Sequence, residues 1–501
     1  MGQLLGKVKR SSNYKWWAVA SVATGTLVTV ADIGEINVAM PTIADRFNSD
    51  LSTVQWLATG YLLATSVLLM PMGRLSDMIG RKRVYLWGLL IFALGAGLAG
   101  TAPNLPMLIL FRILQGMGIG MVHGNSMAIM TSIFPPEERG KALGIHMTMV
   151  GIGLIIGPAI GGVLVDAFGW RSVFYINVPL GVLCALIPFV VLDEDRIMQA
   201  VPRATLGGFD WMGAFLSSTA LVTLVMGLTN PLDWALGFTI AILTICAGLL
   251  VVFVLWEMKT ATPMLDITLF KARIFSLGVS ARAISFVGAA SILFLMPFYL
   301  QGVAGYSPGQ AGLILTSIAF GMVIVGPLAG GLSDRFGWRP FTVVGASLSV
   351  LGLLTLSQIS VDTALPIIIL GILLQSSGMG MFSAPNASSI LSGIPRRSYG
   401  AVSGFVQLIR TASTVMGIVI ATVVITATMS SLGFEASLEG FAEGVDPEIA
   451  SAFTSGLRKV YLSMAGLQMV AVVLSLVKGR VAPDPELEGD AASRVSGSTP
   501  G

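Results

Sequence analysis

Residues Trp16 to Pro41 read WWAVASVATGTLVTVADIGEINVAMP. No charge precedes Asp32 in this run, and at 1.5 Å per residue about 20 residues cross the ~30 Å of hydrocarbon in a bilayer. The stretch therefore reads as a membrane-spanning helix with two carboxylates, Asp32 and Glu35, in its outer half. An aspartate at the centre of such a helix costs about 3 kcal/mol on insertion scales, so it faces a cavity, finds a partner or takes up a proton. Residues three apart share one helix face, which makes the two acids a pair. The plain alternative for each is a shallow, hydrated position with no role.

The rest of the chain has the same character. Of 501 residues, 54% are hydrophobic and 11% charged, against about 25% charged in a typical soluble protein. This is the composition of an all-α polytopic membrane protein. The net charge of +3 resides in short loops, where it reports topology and not a nucleic-acid partner. Cys184 and Cys246 lie far apart in apolar runs, with no clustered His or Cys beside them, so they read as packing residues and no metal site is expected. The basic N-terminus MGQLLGKVKR precedes a run too long for a signal-peptide core and without a small-residue cleavage site, so the first segment is expected to be retained. Gly6 occupies the position where a myristoylation signal needs Ser or Thr.

Fourteen apolar segments can be read, at about 16–40, 54–72, 84–101, 106–130, 142–165, 172–192, 211–229, 234–256, 276–300, 310–332, 341–359, 364–388, 399–427 and 460–477. With both termini placed in the cytoplasm, 22 of the 29 basic residues fall inside, four (Arg46, Arg171, Arg458, Lys459) outside and three within the membrane. That asymmetry supports an even count of spans. The expected plan is a cytoplasmic segment 1–15, six helices over 16–192, a linker with two extra helices over 193–275, six helices over 276–477, and a polar tail 478–501, expected to be disordered.

An internal repeat gives the count a test. GRLSDMIGRKR (Gly73–Arg83) follows the second segment and GGLSDRFGWRP (Gly330–Pro340) follows the tenth, and they align without a gap on Gly, Leu-Ser-Asp and Gly. If segments seven and eight are an insertion, the tenth is the second of a second six. A weaker third copy, DAFGWR (Asp166–Arg171), follows the fifth segment on the opposite side. Inverted three-helix repeats within each half have this form, and they place a substrate site near the midplane between halves.

These features together resemble the major facilitator superfamily, and in particular its fourteen-helix drug:proton antiporter branch. The resemblance covers nearly the whole chain. Gly73, Leu75, Asp77, Gly80, Arg81, Lys82 and Arg83 match the superfamily's cytoplasmic loop motif, in which glycines permit a tight turn and Asp77, at a helix N-terminus, pairs with basic residues that part and rejoin as the halves rock. A purely topogenic basic loop is the alternative. The second copy keeps Asp334 and Arg339 but has Trp338 in place of the basic cluster, so its gate is expected to be the weaker.

In FRILQGMGIG of the fourth segment, Arg112, Gln115 and Gly116 fall on the family's helix-4 motif. Arg112 lies about 10 Å from the outer end of its segment and Asp32 about 8 Å from the outer face, so the two are expected to interact. In the fifth segment, GIGLIIGPAIGG places Gly151, Gly157, Pro158, Gly161 and Gly162 on the motif that resembles the antiporter signature. Small residues at this spacing make a close helix seam, and Pro158 bends the helix. Asn37, Gln375, Arg410 and His123 are further candidates for a substrate cavity, with Gln115. A lone His on an apolar helix also packs without function, and His146 is a weaker case. Arg282 can snorkel toward the cytoplasmic end of its segment.

The resemblance implies a secondary transporter, not an enzyme, that exports small hydrophobic or cationic drug-like compounds in exchange for protons by alternating access. Its partners would be the solute, protons and the bilayer of a bacterial inner or plasma membrane, with the protein a monomer and no nucleic acid involved. No cofactor is expected. No G-x-x-x-x-G-K-[ST] nucleotide loop occurs, and a membrane potential supplies about 2.3 kcal/mol per charge per 100 mV. Proton coupling is assigned to Asp32 with Arg112, and to Glu35. Glu35 stands where the family usually has an apolar residue, leaving three roles open: a second proton site, a contact for a cationic substrate group, or an outer-gate residue in water. A carrier of an anionic, lipid-like or metabolite solute is the alternative function, since three intramembrane arginines outnumber two acids. A membrane-embedded enzyme or sensor is the remoter one.

Overall fold

The computed structural model describes residues 13–478 apart from 135–137, 200–209, 231–234, 261–262, 265, 393, 395–398 and 435–445. Among the described residues there is no strand, and fourteen helices are long and apolar enough to cross a membrane. The first six are α1 (Tyr14–Arg46), α2 (Trp56–Ile79), α3 (Arg81–Gly100), α4 (Leu105–Ile133), α5 (Arg139–Phe168) and α6 (Asn177–Val191). The inserted pair is α7 (Trp211–Thr229) and α8 (Leu236–Glu257). The second six are α9 (Arg273–Phe298), α10 (Pro308–Phe336), α11 (Trp338–Leu356), α12 (Leu365–Ser392), α13 (Tyr399–Ser431) and α14 (Pro447–Val477). An even number of crossings puts both ends of the chain on one face of the bundle, the terminal face; the opposite side is the far face.

The two sixes pack alike. In the first, α1 packs on α5, α2 on α4, and α3 on α4 and α6; in the second, α9 packs on α13, α10 on α12, and α11 on α12 and α14. Each pair maps onto its counterpart by adding eight. The halves meet through α5 against α10 and α2 against α13, contacts that exchange under the same mapping. The α7–α8 hairpin leans on α2 and α13 through α7, while α8 turns almost all of its apolar surface outward. Cys246 and Cys184 are buried, free and apart.

The three copies of the repeat share one backbone device. Gly80, Gly169 and Gly337 end α2, α5 and α10 with φ of +115°, +76° and +82°, the left-handed region that strains any residue with a Cβ. Two residues beyond each glycine a basic side chain reaches the carbonyl end of another helix. Lys82 Nζ donates to Phe189 O at 2.8 Å and Leu192 O at 2.6 Å at the end of α6; Arg339 Nη2 donates to Leu476 O at 2.7 Å in α14; Arg171 Nη2 donates to Ala102 O at 3.2 Å just past α3. A cation at a helix C-terminus satisfies an orphan carbonyl and opposes the dipole.

Several boundaries differ from the sequence reading. α1 runs on to Arg46 through Pro41, because the apolar residues Ile43 and Ala44 stay buried in the core. α14 begins at Pro447, capped by Asp446, so Arg458 and Lys459 are not in a loop but on an exposed face in the first half of that helix. The polar linker contains a short helix, Glu194–Gln199, whose Glu194 carboxylate approaches Gly80 and the Lys82 amide at the start of α3. Beyond Lys478 the expected polar tail lies outside the described residues, and Lys478 itself is not in a solvated tail.

Lys478 is 1% exposed. Its Nζ donates to Asn386 Oδ1 at 2.8 Å and to Ser389 Oγ, and sits 5.0 Å from the Trp338 ring centre. Burial pushes this amine down to about 7. The unfolded chain keeps the proton up to about pH 10, so between these values unfolding takes up a proton and stability rises with pH. Below pH 7 both states are charged and the folded state carries the whole cost. In melting curves of purified protein from pH 6.5 to 9.5, Lys478→Met is therefore expected to stabilise relative to the parent at the acid end, with the difference shrinking toward pH 9.5. Parallel curves would remove Lys478 as the titrating group.

Candidate functional site

The acid pair of α1 lies in the interior of the first half. Asp32 is 0% and Glu35 2% exposed, so neither acid is in water in this conformation. Arg112, on α4, is 1% exposed, and its Nη1 donates to Asp32 Oδ2 at 2.8 Å and to Gln115 Oε1 at 2.6 Å. Gln115 Nε2 closes the ring by donating to Asp32 Oδ1 at 2.9 Å. Arg112 and Gln115 lie three apart on one helix face, so the local periodicity of α4 presents both to α1. The depth match between Asp32 and Arg112 thus corresponds to a direct ion pair.

Two members of this cluster are not among the site residues named from the sequence, although Asn177 lies in WRSVFYINVPLG (Trp170–Gly181), a stretch that matches the family pattern. Asn177, the first residue of α6, donates through Nδ2 to Glu35 Oε2 at 2.7 Å and to Asp32 Oδ1 at 3.3 Å, bridging the two acids. Tyr61, on α2, lays its ring 4.1 Å from the Arg112 guanidinium carbon. The available signal for Asn177 was an amide inside a strongly apolar segment. Buried polar groups in low dielectric need such partners, and here Arg112, Gln115 and Asn177 donate to the two carboxylates while Tyr61 stacks on the guanidinium.

Between the halves is a cavity of about 170 Å³ lined by α1, α2, α4 and α5 on one side and α9, α10, α12 and α13 on the other. Its wall is mostly apolar, with Asn37, Tyr61, Arg112, Gln375 and Arg410 as its larger polar members. Of the five cavity candidates, Asn37, Gln375 and Arg410 are on this wall. Gln115 is not: Arg112 and Asp32 engage it fully and it is 0% exposed. His123 is not either; its Nε2 meets Thr29 Oγ1 at 3.1 Å, which turns the ring toward α1. Asp32 and Glu35 also stand behind the wall, and Arg112 is the residue that touches both the acids and the cavity.

The glycines of α5 make two seams. Gly157 and Gly161 face α1, where added Cβ atoms would come within 2.3 Å of Ala31 O and 2.5 Å of Glu35 Cα, and Pro158 packs on Gly34. Gly151 and Gly162 face α10 across the halves; a Cβ on Gly162 would lie 2.4 Å from Pro308 O. The far face is closed here. Asp166 Oδ2 accepts from Ser307 Oγ and Gly309 N, each at 2.9 Å, at the N-terminus of α10, and Gln301 Nε2 donates to Val38 O at 2.8 Å.

The loop motif at the terminal face holds the first half together. Asp77 lies in the last turn of α2, not at a helix N-terminus, and accepts from Arg81 Nε at 2.8 Å; Arg81 Nη1 donates to Ala128 O of α4 at 2.8 Å. Gly73 approaches the Gly124 carbonyl, and Arg83 is exposed. The partners of Asp77, Arg81 and Lys82 described above all belong to the first half, as suits a bundle whose halves are joined at the other face. The side chain of Asp334 lies outside the described residues.

Comparison with known proteins agrees with this architecture. Residues 22–418 match the Major Facilitator Superfamily. The chain is 32% identical over 408 residues to the riboflavin transporter RibZ of Clostridioides difficile, covering 80% of this chain and 86% of that one. It is 31% identical over 427 residues to the multidrug resistance protein Stp of Mycobacterium tuberculosis (85% and 77% covered), and 32% over 402 residues to the tetracenomycin C resistance and export protein of Streptomyces glaucescens (78% and 72%). A bacterial homologue of the lysosomal transporter Spinster, in an inward-facing and unoccupied conformation, shares the fold with a TM-score of 0.67 at 17% identity, over 95% of this chain and 100% of that one. A fourteen-helix, two-half bundle around a central cavity, with this match over most of its length, identifies the chain as a transporter of the Major Facilitator Superfamily.

Proposed function

We propose that this transporter exports small, largely apolar compounds in exchange for protons, by alternating access of its two halves. One observation carries the reading: Arg112 lines the inter-half cavity while its guanidinium is bonded to a fully buried carboxylate at 2.8 Å. Protonating Asp32 removes the charge that holds Arg112, so proton binding and the state of the cavity wall are coupled through one hydrogen bond. Glu35, tied to Asp32 through Asn177, is the second proton site in this scheme. The names of relatives that export antibiotics support the direction of transport. The basic loops support a terminal face in the cytoplasm of a bacterial cell; in this proposal the proton gradient is the energy source, no cofactor takes part and the working unit is a monomer.

Inside-out vesicles test it. Adding a transported dye to vesicles with an imposed pH gradient is expected to dissipate the gradient, and Asp32→Asn is expected to abolish this while leaving downhill dye movement detectable. If the gradient is unaffected in the parent and Asp32→Asn accumulates dye as well as the parent, proton coupling through Asp32 is wrong.

A further inference from the structure

The charges around the cavity do not balance. Arg112 is matched by Asp32, but among the described residues neither Arg410 nor Arg282 has an acidic partner. Arg410 lines the cavity from α13, and Arg282 sits on the neighbouring α9 with its guanidinium 5.1 Å from the ring of Phe286, itself a wall residue. The two lie at like depth, about 14 and 17 Å from the starts of their helices. Arg282 is 9% exposed, and its one hydrogen bond, to Ser383 O, is long at 3.5 Å. The Nε atoms of both residues are buried with no partner, and among the described residues neither guanidinium forms an ion pair. The charge of Arg410 is felt by Arg282 and by the imidazoles of His123 on α4 and His146 on α5, none of which carries negative charge.

Two uncompensated guanidiniums in an apolar wall are costly, since each loses hydration and repels the other. The cost is offset when an oxyanion arrives, because a guanidinium presents a fork of donors that fits a carboxylate or sulfonate in two places. Resting on the transport reading above, we infer that Arg410, with Arg282 behind it, is an anion subsite, and that the carried solute is an apolar, aromatic-bodied molecule with one acidic group. The acidic head sits at Arg410, and the body lies along Phe286, Phe294, Ile318, Met322 and Met379. The same oxyanion chemistry belongs to the phosphate of an anionic lipid, and the test separates the two.

The probes are 1-anilinonaphthalene-8-sulfonate and N-phenyl-1-naphthylamine, which share an aromatic frame and differ by the sulfonate. Binding to the purified full chain is read by fluorescence in detergent, with protein-free micelles subtracted. Arg410→Gln and Arg282→Gln are each expected to weaken sulfonate binding by about tenfold or more, in line with a lost charge-assisted pair. Arg410→Lys should fall between, and the neutral dye should change less than about twofold in all three, which also certifies the fold. Sulfonate affinity that is unchanged, or that falls in step with the neutral dye, overturns the proposal. So does displacement of the sulfonate by phosphatidylglycerol together with no sulfonate uptake into liposomes, since the guanidiniums then hold a lipid headgroup. Because no gradient is present in the binding assay, charge-selective binding without proton-driven transport would defeat the functional reading alone, and proton-driven transport without charge selectivity would defeat this one alone.

Discussion

Arg112→Met is expected to lower the stability of the purified protein by about 3–5 kcal/mol and to abolish coupled transport. The size follows from where the charges are. Asp32 is 0% exposed and Glu35 2%, so removing the cation bonded to Asp32 leaves two acids in the protein interior served by neutral groups, chiefly the amides of Gln115 and Asn177. The opposite deletion is milder. In Asp32→Asn, Arg112 keeps Gln115 Oε1 at 2.6 Å, Leu57 O at 3.4 Å and the Tyr61 ring, so a loss of about 1–3 kcal/mol is expected. The double variant should therefore be more stable than Arg112→Met alone, although it is the more heavily altered protein. Thermal or denaturant unfolding of the four proteins measures this cycle. A double variant no more stable than Arg112→Met would mean that the arginine acts by filling space and not by neutralising Asp32. Transport should stay absent in the double variant, because restoring stability restores no proton site.

The fold was legible because its signals are coarse and physical. A segment must be about 20 apolar residues long to cross a bilayer, and fourteen such stretches separated by charged turns leave little choice of architecture. The duplicated Gly-x-Leu-Ser-Asp pattern located the second six, and the shared left-handed glycines at Gly80, Gly169 and Gly337 show that even the weak third copy encodes a backbone event. The boundaries were less legible where helices outgrow the membrane. Nothing in hydropathy marks the far-face extension of α1 through Pro41 to Arg46, or the polar start of α14 at Pro447, since caps and core contacts decide both.

The site was legible by depth and family pattern but not by contact. Helical rise placed Asp32 and Arg112 at one level, yet which residues complete their shell depends on how α2 and α6 are turned, and that is a tertiary fact. Tyr61 and Asn177 were therefore missed. The same limit explains Gln115 and His123, polar residues on an intramembrane helix that face the protein and not the cavity. A polar residue in a span can belong to the wall of a cavity or to the support behind it, and spacing along one helix does not distinguish them.

The glycines of α5 give the second large effect, because one short motif serves two seams with different mechanical duties. Gly157 packs on α1, in the same half, where a Cβ would come within 2.3 Å of Ala31 O; Gly162 packs on α10, in the other half, where it would come within 2.4 Å of Pro308 O. Both distances are below any tolerable contact, and overpacking of this kind costs about 1–3 kcal/mol or more. If α1 and α5 move as one body, Gly157→Leu has no conformation in which to escape, and poor yield with early melting is expected. Gly162→Leu can escape by parting the far face, where Asp166 and Ser307 now hold the halves together at 2.9 Å. It should fold with near-parent melting, remain open to the far side and lose at least about tenfold in transport. A cysteine at Asn37, on the cavity wall, in a background without Cys184 and Cys246, reports the state: a membrane-impermeant maleimide added from the far side should label it faster in Gly162→Leu than in the parent. Parent-like labelling with parent-like transport would mean that the α5–α10 contact is not a moving seam, and melting as early as Gly157→Leu would mean that it is part of the fold and not of the transport cycle.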